Sequence, residues 1–367
     1  MKKLSFLLSV ILIPFILSGC RDSSVESDYS LSDLDINYNK LSDQNWEIFL
    51  SNLKGSKCKN VSNSLYEDSD NTWSADGKYI AYTHVDKSKG STQVDIYVYD
   101  IENNTTINLT PEADYEASSP IWTPDSKKII FKYHKIPESV CTYIMNIDGS
   151  GKRKLMDEVL QKIFFCSNGD EFLFVPAWQN ITWEKLYKAN LESTSCDLLV
   201  ESKDIGKYYA TFFDYNPKSN KMLVLISNDP QKPNFIAAYD LNNNELDTLI
   251  LPTDGYSLTL PRYAPSYNKI AYVETRNDNQ INKLCIYTYN EKLIRIVAEL
   301  TGSKELFYHI PPVFSPNEKY IAYVKNTIQS GPWYYWKPCL YVKDLLTNDL
   351  WVFDSADHPV WNPEFSR

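Results

Sequence analysis

The chain has 367 residues, 43% of them hydrophobic and 14% aromatic, which is enough to build a large buried core. A formal net charge of −10 and a pI near 5.0 leave no basic stripe to displace counterions, which excludes a nucleic-acid partner. No phosphate loop of the G-x-x-x-x-G-K-[ST] kind, no G-x-S-x-G elbow, no H-E-x-x-H and no C-x-x-C occurs, so no cofactor or catalytic residue is expected.

The first twenty residues, MKKLSFLLSVILIPFILSGC, start with Lys2 and Lys3 and run through an apolar stretch from about Leu4 to Leu17. That stretch is too short and wrongly flanked for an ordinary membrane span. It ends in Leu17-Ser18-Gly19-Cys20, which resembles the bacterial lipobox. The resemblance implies that residues 1–19 are a signal peptide removed before Cys20. It also implies that the Cys20 thiol and its new amino group are acylated and hold the protein at a membrane. Several acyl chains on one residue pass the threshold for stable anchoring.

Residues 20–45 are rich in Ser, Asp and Asn, and Arg21 and Lys40 face six acids. Such a segment buries too little to fold alone and reads as a flexible acidic tether. Arg21 is not the aspartate that retains some lipoproteins at the inner membrane, so an outer membrane, where the cell has one, is the expected address.

From residue 46 to 367 the chain repeats. WSADGKYIAY begins at Trp73: a large aromatic, a turn-forming Ala-Asp-Gly, then an alternating apolar run. Further copies place Trp122, Phe165, Tyr215, Tyr263, Phe314 and Trp361 in the same slot, at intervals of 49, 43, 50, 48, 51 and 47 residues. A second tile interleaves with it, as in DIYVYDI followed by TINLT (95–110), and an early copy lies at 47–62. Each period then holds four strands, a to d. A period of 40–50 residues with strand content predicts an all-β propeller of four-stranded blades.

The tile W-[ST]-x-D-[GS]-K-x-I-x-[YF], followed by I-Y-x-x-D…L-T, resembles the repeats of TolB-type β-propellers. Related repeats occur in the propellers of dipeptidyl-peptidase-like enzymes and oligogalacturonate lyases. The resemblance covers residues 46–367; it implies the fold and says little about activity. The early strands c and d and the last strand a complete a seventh blade, which joins N- and C-terminal strands and removes two open edges. Six blades is the alternative, because that last blade lacks an obvious strand b and the TolB propeller has six.

With Cys20 lipidated, six cysteines remain. Cys141, Cys285 and Cys339 occupy one slot just before strand c, and Cys58 and Cys196 share a strand-d slot. Equivalent slots in different blades lie too far apart for a disulfide, so buried free thiols are expected. DGSGK at 148–152 falls in a c–d turn. His84 and His134 follow strands b, and His309 and His358 precede strands a, which places all four on one face in a contiguous arc. Oligogalacturonate lyases hold a metal with such residues. The histidines here do not align with that pattern residue by residue, and no metal site is expected.

The a–b and c–d turns are tight and share one face; the b–c and d–a connections lie on the other and are longer. Two b–c loops, PAWQNITWEKLY (176–187) and SGPWYYWKP (330–338), are aromatic. Trp178, Trp183, Trp333, Tyr334, Tyr335 and Trp336 are the candidate partner-binding residues, since long loops on a rigid scaffold usually carry binding. The sequence therefore reads as a lipid-anchored, non-enzymatic binding or scaffold protein for an envelope protein or glycan. A metal-assisted polysaccharide lyase is the alternative.

Overall fold

The computed structural model describes residues 35–42, 45–88, 93–111, 115–135, 138–177, 184–206, 209–227, 234–276, 278, 281–302, 305–307, 310–329 and 335–361. The chain opens with β1 (Ile36–Ser42), β2 (Asn45–Ser51) and β3 (Cys58–Asn60). Blade 1 is β4 (Glu67–Trp73), β5 (Tyr79–Asp86), β6 (Gln93–Asp100) and β7 (Thr105–Asn108). Blade 2 is β8 (Glu116–Trp122), β9 (Lys128–His134), β10 (Cys141–Asn146) and β11 (Arg153–Met156). Blade 3 is β12 (Leu160–Phe165), β13 (Glu171–Pro176), β14 (Lys185–Asn190) and β15 (Cys196–Glu201). Blade 4 is β16 (Tyr209–Asn216), β17 (Lys221–Ser227), β18 (Phe235–Asp240) and β19 (Leu246–Ile250). Blade 5 is β20 (Tyr256–Tyr263), β21 (Lys269–Arg276), β22 (Ile281–Thr288) and β23 (Leu293–Thr301). Blade 6 has a split first strand, β24 (Glu305–Phe307) and β25 (Val313–Phe314), then β26 (Tyr320–Gln329), β27 (Tyr335–Asp344) and β28 (Leu350–Asp354). The last strand is β29 (Ala356–Trp361).

Seven sheets result, each an antiparallel meander, and the seventh has the order β29-β1-β2-β3. The protein is a seven-bladed β-propeller, as the repeat period predicts. The closing blade corrects the expected joint. Its strand b exists: β1 pairs with β29 on one side, Ile36 opposite Trp361, and with β2 on the other. Residues 36–42 therefore belong to the propeller, although the sequence reads them as the end of the tether. Their pattern INYNKLS hid them, because Asn37 and Asn39 stand where a buried strand normally carries aliphatic side chains.

The a–b hairpins of blades 1, 2 and 6 close on one local device. In blade 1, Ser74 Oγ accepts the Tyr79 amide at 3.0 Å and donates to Asp76 Oδ1 at 2.6 Å, while Asp76 Oδ1 accepts the Lys78 amide at 3.2 Å. Gly77 then takes φ +69°, the left-handed conformation such a turn requires. Thr123, Asp125 and Ser126 repeat the arrangement in blade 2, and Ser315, Asn317 and Glu318 in blade 6. The turns also touch across blades: the Asp76 amide donates to Ser126 Oγ at 3.0 Å.

The tile aromatic marks where strand a ends, and it packs back on the preceding blade. Trp122 lies with Ala81 and Val98, and its Nε1 donates to the Thr72 carbonyl at 3.2 Å. Phe165 meets Ile130 and Ile144. Tyr215 meets Leu173 and Leu186. Tyr263 meets Leu223 and Ile236, Phe314 meets Val273 and Leu284, and Trp73 meets Ile48 and Leu50 of the closing blade. Tyr38 and Phe49 seal the remaining seam against Val324 and Leu340. Seven apolar seams close the ring, and each fully buried large side chain in them contributes about 1.5–3 kcal/mol. Strands b and c are buried on both faces, whereas strands d such as β19 and β23 face water.

Candidate functional site

The strands a line the middle of the ring, and most of them carry a bulge. Register shifts fall between Leu160 and Lys162, Phe212 and Asp214, and Thr259 and Arg262. A bulge re-aims side chains. Leu260 sits at φ +55°, a strained conformation for a non-glycine residue. In blades 3, 4 and 5 these kinks border a cavity of about 380 Å³ lined by Lys162, Phe165, Phe213, Asp214, Arg262 and Tyr267 among others. Pro217 and Tyr267 belong to a–b turns, so the cavity opens at the tight-turn end of the ring.

The charges there are not equivalent. Lys162 Nζ is fully engaged: Glu184 Oε1 lies at 2.7 Å, the Phe212 carbonyl at 2.8 Å and the Phe213 ring centre at 5.4 Å. Asp214 accepts the Tyr215 amide on Oδ1 and the Tyr263 amide on Oδ2, both at 2.9 Å. Arg262 Nε stands 3.7 Å from Asp214 Oδ2, beyond hydrogen-bond reach, with its side chain 46% exposed. Among the described residues no acceptor takes its guanidinium hydrogens, which leaves a planar fork of donors at the cavity. That fork matches a carboxylate or phosphate in bidentate geometry. Burial pushes the Tyr215 and Tyr267 hydroxyls above their ordinary range, so neither serves as a base at neutral pH.

Sequence reasoning missed this cavity, because it placed binding on the longer loops of the other face. Its signal would have been the Leu-Pro-Arg-Tyr run at 260–263, but bulges are not legible in one sequence. Of the residues chosen instead, Cys20, Trp178, Trp183, Trp333 and Tyr334 lie outside the described residues. Tyr335 and Trp336 are not loop residues; they open β27, opposite Gln329 and Ile328. That end of β27 adjoins the b–c connection, at the end of the ring opposite the cavity.

His84 and His134 stand near the ends of the equivalent strands β5 and β9, but their side chains point to different seams. Trp73 pairs with Ile80 and Trp122 with Ile129. His84 is four residues past Ile80 and His134 five past Ile129, so they face opposite sides of their blades. His84 Nδ1 lies 2.7 Å from Asp68 Oδ1 and its ring 4.6 Å from that of Tyr97. His134 Nδ1 lies 3.3 Å from Glu116 Oε2. Each is held within its own blade. His309 lies outside the described residues, and His358 is placed on β29 by its backbone. Among the described residues no three His, Cys, Asp or Glu side chains could share a metal ion.

Cys141, Cys166, Cys196, Cys285 and Cys339 are in no disulfide, in line with the thiol reading. Cys141 opens β10, while Cys285 and Cys339 lie inside β22 and β27 rather than before them. Burial pushes the Cys285 thiol up to about 12, and raises Cys141, Cys166 and Cys196 too, which makes them poor nucleophiles. Cys58 departs from expectation: it is disulfide-bonded, and with those five free the one cysteine of the chain left to pair with it is Cys20, a pairing that acylation of the Cys20 thiol would preclude.

No family model and no curated protein sequence matches the chain. Solved structures do. A structure from a study of two prolyl endopeptidases is similar with a TM-score of 0.59 and 12% identity, covering 89% of this chain and 50% of that one. An oligogalacturonate lyase from Vibrio parahaemolyticus is similar at 0.54 and 11%, covering 87% and 84%. TolB from Acinetobacter baumannii is similar at 0.48 and 17%, covering 91% and 67%. At such identities the likeness is one of fold.

Proposed function

We propose that this chain is a lipid-anchored β-propeller of the bacterial cell envelope that acts as a non-enzymatic binding or scaffold protein for a protein or glycan partner. The anchoring half rests on Leu17-Ser18-Gly19-Cys20. The binding half rests on one observation: Arg262 keeps its donors unspent at a cavity walled by aromatic rings, while the neighbouring Lys162 and Asp214 are consumed by internal bonds. A partner bearing an acidic group satisfies that fork, and the aromatic residues of the opposite face, Trp178, Trp183, Trp333, Tyr334, Tyr335 and Trp336, offer a second contact area. The lyase alternative gains nothing from the donor set, since His84 and His134 are turned apart and each is occupied by a carboxylate.

The test is affinity capture from detergent-solubilised envelope, comparing the parent with Arg262→Gln and with Trp333→Ala/Trp336→Ala. A charge-assisted bond of about 1.5–3 kcal/mol corresponds to partner recovery lowered roughly 10- to 100-fold in Arg262→Gln. A true anchor in the aromatic loop costs on the order of 2 kcal/mol of binding with the thermal midpoint nearly unchanged. Full recovery by both variants sinks the binding assignment. Cys20→Ser is expected to leave the precursor unprocessed and to abolish membrane fractionation; a variant that still partitions fully into detergent micelles removes the lipoprotein half.

A further inference from the structure

The seam between the closing blade and blade 1 gathers buried polar side chains from three strands, β1, β29 and β4. Asn37 and Asn39 of β1 stand opposite Leu50 and Ile48 of β2, and those two pack on Trp73 and Ile80 of blade 1. Cross-strand partners share a sheet face, so both amides look into this seam. Asp357 of β29 is opposite Asn39 and joins them there. From the other side, the bulge of β4 brings Asn71, whose Nδ2 donates to Asn39 Oδ1. All four are buried: Asn37 is 0% exposed, Asn39 5%, Asp357 6% and Asn71 7%.

The Asn71–Asn39 bond satisfies only part of this amide set. Asn37 has no hydrogen-bond partner on either side-chain atom, and Asn71 has none on Oδ1. A buried amide without partners costs about 1–3 kcal/mol, and native proteins cover such groups with water or an ion. The set is rich in oxygen: three amide oxygens and a carboxylate, with a second buried carboxylate, Asp68, further along β4 in the same seam. Amide orientation is free to reverse, so each Asn can turn oxygen inward. Hard oxygen donors with carboxylate charge suit calcium rather than a transition metal.

We propose that this seam is a binding site for a hard divalent cation of the calcium class, held by Asp357, Asn37, Asn39 and Asn71. The ion joins the first strand of the propeller to its last and to blade 1, so binding staples the ring. The test uses the full chain in detergent, stripped with EDTA and titrated with calcium chloride. Radioactive calcium in equilibrium dialysis is expected to bind one per chain. The thermal midpoint is expected to rise by roughly 4 °C once calcium exceeds its dissociation constant by about a hundredfold. Asp357→Asn, which keeps the side-chain shape, is expected to lose both responses. Asn326→Leu, at a buried amide in blade 6, is expected to keep them. Absence of bound calcium and of any shift overturns the proposal. So does an Asn37→Leu protein that melts higher than the parent and still responds to calcium, because the amide then neither fills nor shapes the site.

Discussion

The seam between blades 3 and 4 and the seam between blades 7 and 1 solve one packing problem in two ways. The first brings together Leu173, Val175, Leu186, Phe212, Met222, Val224 and Ile226, all essentially without solvent exposure. The second keeps Trp73, Ile80 and Tyr82 but mixes them with Asn37, Asn39, Asn71, Asp68 and His84. Apolar contact supplies stability in proportion to area and accepts many partners. Buried polar contact adds little net energy but rejects any neighbour that lacks the matching donors. The ring places the selective chemistry at the joint where two ends of the chain must find each other. The opposite face of the same closing sheet, where Tyr38 and Phe49 meet Val324 and Leu340, is apolar, so the joint carries both kinds of chemistry, one on each face.

The comparison can be broken most severely at the joint itself. Deleting residues 356–367 removes β29 and strips the inner edge of β1. We expect a loss of at least about 5 kcal/mol, the scale of a whole domain's stability, read from urea unfolding. A truncated chain with an unchanged midpoint and slope shows that the joint is not structural. In the apolar seam, Phe212→Ala is expected to cost about 3–5 kcal/mol without altering the pH dependence of unfolding.

A subtler effect belongs to Asp68. Burial lifts its carboxyl above the usual range, against the opposing pull of His84. A carboxyl raised in this way binds its proton more tightly in the folded state. It favours folding below its unfolded pKa, and that advantage disappears as pH rises through the folded value. Asp68→Asn removes the titration. Measured against the parent, the variant's relative stability is therefore expected to improve as pH rises above about 4. The opposite trend in urea midpoints means that His84 stabilises the carboxylate more than burial penalises it. The smallest effect lies on the surface. Glu192 holds Lys128 at 2.6 Å but is 68% exposed, so Glu192→Gln is expected to change stability by less than about 1 kcal/mol.

The seven-fold repeat was legible because the tile aromatics Trp73, Trp122, Phe165, Tyr215, Tyr263 and Phe314 each end a strand a and fill the seam behind it, so packing forces the residue type. The tight turns were legible because their φ values and side-chain bonds are local. What escaped reading depends on contacts distant in sequence. β1 looked like tether because two of its buried positions carry asparagine, and the strand that completes its pairing, β29, lies about 320 residues further along the chain. The cavity escaped because bulges shift register by a residue without changing composition. The same one-residue difference turned His84 and His134 to opposite sides.

The pairing of Ile36 with Trp361 also sets an order of events. A chain that emerges from its amino end delivers β1 among the earliest strands, and its inner edge then waits for the final segment to arrive. Six blades assemble from neighbours and need only short loops to close. The seventh must hold three strands in readiness with one unpaired border, the kind of border that recruits other chains. Crowding by sister molecules during that wait, rather than instability of the finished ring, is the hazard this design has to survive.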